Sequence, residues 1–297
     1  MNNVCLITGA SGLLGRTFVN QMLQHTHVMA CFNTHPIIFN ASNHKAIQLD
    51  LNDLVALDTL IKKVQPSLII HCAGLTNVDL CEKEFELALH LNVEVTRTLA
   101  VVSRHLDAKF VYISTDHLYD GKKSFYREED PPNPVNIYGE TKWKGEIAAL
   151  SENPQSLVVR TNFFGKGTQW RQSLTDWIWI RLNADMAIPA FVDSYFTPIA
   201  ISELVKGVRA LIDKNATGIF NVCGSDRLSK YEFALRFSEH FGFKTHNIHP
   251  VKMQDCNLSA KRPLDMSLNV AKITKFLNRA MPTLEQSFHA IKSEYQT

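Results

Sequence analysis

The feature that most constrains this chain is a rhythm that runs through its first half. Short β-branched or apolar runs alternate with segments of helical period. NVCLITG (3–9) ends in glycine, as a buried parallel strand does where it turns into a helix. A helix pattern follows over about 13–24, then a second strand, HVMACF (27–32), and a third, AIQLD (46–50). LNDLVALDTLIKKV (51–64) has apolar residues at three- and four-residue spacing. PSLIIHCAG (66–74) reads as a fourth strand, about 84–105 as a helix, and KFVYIST (109–115) as a fifth strand. A helix opened by Tyr138 leads to SLVVRTNFFG (156–165), a sixth strand. Strands alternating with helices call for right-handed crossovers, so the expected fold is α/β with a doubly wound parallel sheet.

After Gly165 the rhythm changes. Residues 169–183 look helical, 187–192 extended, 199–213 helical and GIFNVCG (218–224) strand-like; two short helices complete the chain. The expected division is a dinucleotide-binding domain over 1–164, with 193–222 returning to it. A smaller, discontinuous C-terminal lobe over 165–192 and 223–297 would hold a substrate.

A formal net charge of +2 without a basic tract gives no reason to expect nucleic acid or a membrane surface as partner. No apolar run is long enough to span a bilayer, and MNNVCLITGASG does not read as a secretory leader. The six cysteines are scattered without a C-x-x-C pair, which suits buried thiols in a reducing cytoplasm. The twelve histidines show no metal-ligand spacing, so no metal is expected. The sequons at Asn40, Asn215 and Asn257 are then chance matches.

Strand one runs directly into Thr8-Gly9-Ala10-Ser11-Gly12-Leu13-Leu14-Gly15. Glycines there permit a tight turn and let the backbone approach a pyrophosphate, whose charge suits a helix N-terminus. The bland reading is a plain strand-to-helix turn. NAD sites usually carry an acid at the end of the second strand, to take the ribose hydroxyls. This chain has Asn33, Thr34 and His35 there, and its first acidic residue is Asp50. An acid-free edge with Arg16, His35 and Lys45 suits a 2′-phosphate, so NADPH is the expected cofactor; NADH held by polar contacts alone is the alternative. Asp50 and Leu51 would contact adenine, or Asp50 serves as a helix N-terminal carboxylate.

Strand five ends in Ser114-Thr115-Asp116, at the sheet edge where doubly wound folds bind ligands. Tyr138 opens the next helix and Lys142 lies one turn along the same face. A free tyrosine titrates near about 10, and a neighbouring ammonium lowers that by favouring the phenolate. Each feature alone has a bland version: a strand-end turn, a helix cap, a surface pair.

Taken together, TGASGLLG, HCAGLTNVD, Asn92, YISTDHLYDG, YGETK, WKGE and RTNFFG resemble the extended short-chain dehydrogenase/reductase superfamily. Within it, the chain looks most like the dTDP-4-dehydrorhamnose reductase group; DSYFTP (193–198) and RPLDMSL (262–268) extend the likeness over nearly the whole length. The resemblance implies that Tyr138 protonates a C4 carbonyl oxygen as the nicotinamide delivers hydride to C4. It implies that Lys142 holds the nicotinamide ribose, and that Thr115, with Ser114 behind it, orients the carbonyl. Gly9, Ser11, Gly12, Leu13, Leu14 and Gly15 would cradle the pyrophosphate, and Ala73, Gly74 and Asn92 would line the cofactor. Asn92 reads equally well as a helix-interior polar residue packing on a turn. Thr76, Val78 and Asp79 would face the sugar and Arg262 its diphosphate.

His117 stands where the group usually has tyrosine, and Phe163 where it usually has tryptophan; both positions would flank the sugar. The implied activity is therefore reduction of a nucleotide-linked 4-keto-6-deoxy sugar for surface polysaccharide or deoxysugar synthesis, with the sugar itself open. Two alternatives remain: an epimerase or dehydratase that retains its NAD, and a non-catalytic NADP-binding subunit like methionine adenosyltransferase beta. Homodimers are common in the group.

Overall fold

The computed structural model describes residues 4–39 and 44–296, so the sequon at Asn40 lies outside the described residues. The described chain forms two compact units of similar length. One comprises the chain up to Thr115 with Asn136–Arg160 and Ile212–Phe220; the other comprises Asp116–Val135, Thr161–Leu211 and the chain from Asn221 on. The segment 116–135, between strand five and the Tyr138 helix, thus belongs with the second unit, as does 193–211.

The first unit is built on a seven-stranded sheet. Strands β1 (Val4–Thr8), β2 (His27–Phe32), β3 (Lys45–Gln48), β4 (Leu68–His71), β5 (Lys109–Ile113) and β6 (Leu157–Arg160) all pair in parallel. From one edge the order is β3-β2-β1-β4-β5-β6, and strand Gly218–Asn221 adds beyond β6. The order reverses between β1 and β4, the crevice at which ligands bind in such sheets. β1, β4 and β6 are almost wholly buried, which is why their sequences are continuous apolar runs instead of alternating ones.

Helices α1 (Leu13–Met22), α2 (Leu54–Val64), α3 (Val78–Lys83), α4 (Phe85–Leu89), α5 (Val95–His105) and α6 (Ile137–Glu152) carry the crossovers. Asp53, not Asp50, caps α2: its carboxylate accepts from the Ala56 amide at 2.8 Å. The helical stretch expected over 84–105 is not one regular helix. A wide π turn, His90–Glu94, separates α4 from α5, and a six-residue helix, α3, precedes them. The core on one sheet face joins Leu6, Ile69, Phe110 and Val158 of the strands to Leu57, Ile61, Val95, Leu99 and Ala149 of the helices.

The second unit has its own core, in which Phe164, Phe196, Phe233, Phe237 and Phe288 pack mostly edge to face. Three two-stranded ladders frame it: Phe163–Phe164 with Ile199–Ala200, Tyr195–Phe196 with Leu228–Ser229, and Ile188–Phe191 with Ile248–Val251. Where two short helices were expected at the C-terminal end there are three: Lys230–His240, Ala271–Leu277 and Leu284–Tyr295. Ser229 and Thr283 cap the first and last with reciprocal boxes.

Candidate active site

The glycine turn is set by sterics. Gly9 sits at φ +62°, and a Cβ there would lie 2.7 Å from the Ala73 amide nitrogen. A Cβ on Gly15 would collide with the Gly9 carbonyl. Gly12 is different: it donates to the Gly9 carbonyl at 2.9 Å, and a Cβ there meets only that oxygen, at 3.1 Å. Two of the glycines therefore build the turn, and the third leaves its outer side open. Helix α1 then begins with no side-chain cap and no acid in its first turn. Its first amides carry partial positive charge that the fold leaves for an anion. A pyrophosphate fits this cradle. At the edge beside it, Asn33, Thr34 and Arg16 are exposed and His35 is half-buried, with no carboxylate among them. Asp50 is occupied locally, accepting from the Asn52 amide at 3.0 Å and its side chain at 2.9 Å, and Leu51 packs against the core.

Beside the turn, Thr8 at the end of β1 shares a 2.6 Å hydrogen bond with Nδ1 of His71 at the end of β4. The imidazole is stacked beside Phe110 and Tyr112. Burial, reinforced by the charge of Lys142, pushes its pKa down to about 3, so it is neutral.

Asn92 lies within the π turn and is completely buried. Its Oδ1 accepts from the Leu75 amide at 3.0 Å; its Nδ2 donates to the Leu75 carbonyl at 3.1 Å and to Oγ1 of Thr141 at 3.0 Å. A Cβ on Gly74 would press on Oδ1, so glycine is what allows the loop to close on the amide. Asn92 is thus a clamp that fixes the 73–75 loop to α6. Thr76 and the Asn77 cap follow, with Val78 and Asp79 opening α3; Asp79 sits where an acid favours the helix dipole.

Asn136 caps α6, accepting from the Gly139 amide at 2.8 Å. Tyr138, Lys142 and Glu146 recur at every fourth residue, and all three are buried. A helix stripe of this period normally carries apolar side chains inward; here it carries a phenol, an ammonium and a carboxylate. Tyr138 packs on Cys81 and Ala88, with Leu75, Val78 and Ile137 around it. Nζ of Lys142 donates to the Ile113 carbonyl at 2.7 Å and stands 4.1 Å above the Tyr112 ring. Ile113 ends β5, so this bond ties the Tyr138 helix to the strand that delivers Ser114 and Thr115, both 4% exposed. Among the described residues, Oγ of Ser114 is buried without a hydrogen-bond partner. Burial pushes Lys142 down to about 7, with Glu146 pulling the other way. Glu146 is in turn gripped by Arg160 from β6, Nε to Oε1 at 3.0 Å and Nη2 to Oε2 at 2.7 Å. Neither Glu146 nor Arg160 stood out in the sequence. The available signal was a charged residue at the third place on the Tyr138–Lys142 face.

The remaining expected residues belong to the second unit. His117 is half-buried and its pKa is pushed down to about 3, first by burial, then by Arg262 and Lys230. Phe163 is half-buried at the start of its short strand, and Arg262 donates to the Ala260 carbonyl at 2.8 Å. Asp116 accepts from the Asn162 amide at 2.7 Å. Among the described residues there is no group of three potential metal ligands and no helix long and apolar enough to cross a membrane.

Comparison with known proteins gives a consistent picture. A family model, the RmlD substrate binding domain, matches residues 2–297. A Haloferax volcanii protein named as a probable low-salt glycan biosynthesis reductase is 29% identical over 294 residues, covering 97% of both chains. Methionine adenosyltransferase 2 subunit beta of Xenopus laevis is 29% identical over 279 residues, 91% of this chain and 81% of that one. Among solved structures, dTDP-4-dehydrorhamnose reductase from Bacillus anthracis, in complex with NADP, superposes with a TM-score of 0.87. It is 25% identical, and the match covers 99% of this chain and 100% of that one. A hypothetical dTDP-4-dehydrorhamnose reductase from Sulfolobus tokodaii gives 0.85 at 33% identity over 96% and 98%.

Proposed function

We propose that this chain, which belongs to the RmlD substrate binding domain family, is an NADPH-dependent reductase of the C4 keto group of a nucleotide-linked 4-keto-6-deoxy sugar. The observation that carries this reading is the buried polar stripe of α6, with the Lys142 ammonium held at the end of β5 beside Ser114 and Thr115. A buried phenol with an ammonium one turn away is costly to maintain for structure alone.

The fold leaves the glycine turn and the uncapped start of α1 for the cofactor pyrophosphate. Lys142 spends one donor on Ile113 and makes no other hydrogen bond among the described residues, which leaves donors for the nicotinamide ribose. The nicotinamide, when bound, supplies hydride to C4 of the sugar. Tyr138 gives its phenolic proton to O4 as the carbonyl is reduced to an alcohol, and the resulting phenolate is stabilised by the Lys142 charge until a proton returns from solvent. Thr115 orients the carbonyl oxygen, and Ser114 supports it. The acid-free edge at Asn33–His35, with Arg16 exposed near the start of α1, favours NADPH over NADH.

The likeness to methionine adenosyltransferase beta subunits supports a second reading, in which the chain binds NADP(H) and serves a partner enzyme. Turnover separates the two. NADPH oxidation is followed with a panel of 4-keto-6-deoxy sugar nucleotides for wild type and Tyr138→Phe. Turnover with at least one sugar, lost by about 10²-fold or more in the variant, is the expected result. Wild type that binds NADPH yet reduces none of them sinks the reductase reading in favour of the binding subunit. Full activity in the variant removes Tyr138 from the acid's role.

A further inference from the structure

Lys230 has a setting that nothing in the fold of the second unit explains. It is the first residue of the helix Lys230–His240, where the helix dipole disfavours a cation. Its backbone amide bonds the Ser194 carbonyl at 2.9 Å, and its Nζ stands 3.2 Å from the centre of the Phe196 ring. Among the described residues the ammonium makes no hydrogen bond and no ion pair. Its neighbour Arg227 shows the contrast: that guanidinium is met twice by Asp265, at 2.8 and 2.6 Å, over the Tyr195 ring.

Arg262 converges on the same place. The strand Tyr195–Phe196 has Leu228–Ser229 on one side, and on the other the segment around Leu264–Met266, bonded through Tyr195 at 2.7 and 2.9 Å. Lys230 and Arg262 each lie one or two residues beyond these flanking segments. Both act electrostatically on the His117 imidazole, which burial already keeps neutral. The carboxylate that acts on Lys230 is Asp116, and Asn162 already holds it at 2.7 Å. Two cations beside one uncharged ring repel each other, and three unmet ammonium donors carry a desolvation cost. Two cations that face one neutral imidazole, with a single carboxylate acting on Lys230, suit a receptor for negative charge.

We propose that Lys230 is a substrate-binding residue, which with Arg262 grips the diphosphate of the nucleotide-linked substrate. The inference rests on the nucleotide-sugar reading above. A diphosphate supplies two adjacent anionic groups, one suited to a guanidinium fork and one to a point charge. The Phe196 ring lies against the ammonium on one side, and the lower local dielectric beside it strengthens attraction for phosphate oxygens.

The test uses the full chain saturated with NADP, titrated calorimetrically with dTDP, UDP and GDP and, as an uncharged control, thymidine. Wild type is expected to bind at least one of the diphosphates. Lys230→Met is expected to weaken that binding by at least about tenfold, to leave any thymidine binding unchanged and to melt no lower than wild type, because an unmet ammonium has been removed. Lys230→Arg keeps the charge and is expected to recover most of the affinity. A folded Lys230→Met that binds the diphosphate as wild type does overturns the role of Lys230 alone. Wild type that binds none of the three diphosphates overturns the nucleotide-sugar reading and this proposal with it.

Discussion

Arg160 and Glu146 form a forked ion pair inside the first unit, with Nη2 to Oε2 at 2.7 Å and both side chains 2% exposed. The pair spans β6 and α6 and places a fixed carboxylate one turn beyond Lys142. It anchors the helix that carries Tyr138 and offsets part of the burial that works against the Lys142 charge.

Removing one partner leaves the other charge buried and unmet. Glu146→Ala is expected to cost about 3–5 kcal/mol of stability, read from urea unfolding at pH 7. Glu146→Gln retains an acceptor for Arg160 and is expected to cost less. A Glu146→Ala protein as stable as wild type shows that the pair is not what holds α6 in place.

The three glycines are expected to respond unequally. Gly9→Ala and Gly15→Ala place a Cβ against backbone and are expected to lower the melting temperature. Gly12→Ala meets only the Gly9 carbonyl, at 3.1 Å. It is expected to stay folded while its methyl holds the cofactor off the turn, raising the Kd for NADPH about tenfold or more. Equal Kd values for Gly12→Ala and wild type mean the pyrophosphate does not lie on this turn.

Asn92→Ala removes three hydrogen bonds at once, leaving the Leu75 amide without this acceptor and the Leu75 carbonyl with only the Cys81 thiol at 3.5 Å. A loss of about 2–4 kcal/mol is expected, with faster hydrogen exchange at the Leu75 amide. Exchange at Leu75 that does not change argues against Asn92 as the clamp of the 73–75 loop.

Acid sensitivity follows from His71 and His117. Both have folded pKa values near 3, against about 6.5 unfolded. Between those values the unfolded chain binds protons that the folded one excludes. Stability is therefore complete above about pH 6.5 and falls as pH drops toward 3, by about 1.4 kcal/mol per pH unit for each histidine. His71→Asn, which retains a side-chain partner for Thr8, is expected to flatten this slope in unfolding free energies measured from pH 7 to 4.5. An unchanged slope means that His71 is protonated in the folded protein.

The alternating strands and helices, the glycine turn and the Tyr138–Lys142 face were all legible in the sequence. Each is a property of neighbours along the chain, set by backbone sterics and by the 2.0 and 3.6 residue periods. The tertiary structure decided which strands adjoin, bringing Thr8 to His71 and Gly218–Asn221 to the sheet edge beyond β6. It also decided that Asp53 rather than Asp50 caps α2, that Asn92 sits in a π turn spent on Leu75 and Thr141, and that Arg160 meets Glu146. No periodicity announces these partners. A polar side chain has several ways to satisfy itself in an unfolded chain, and only burial, by excluding water, forces the choice of one. Lys230 carries the same lesson in reverse, since only the packed unit reveals an ammonium set against an aromatic ring with no hydrogen bond among the described residues.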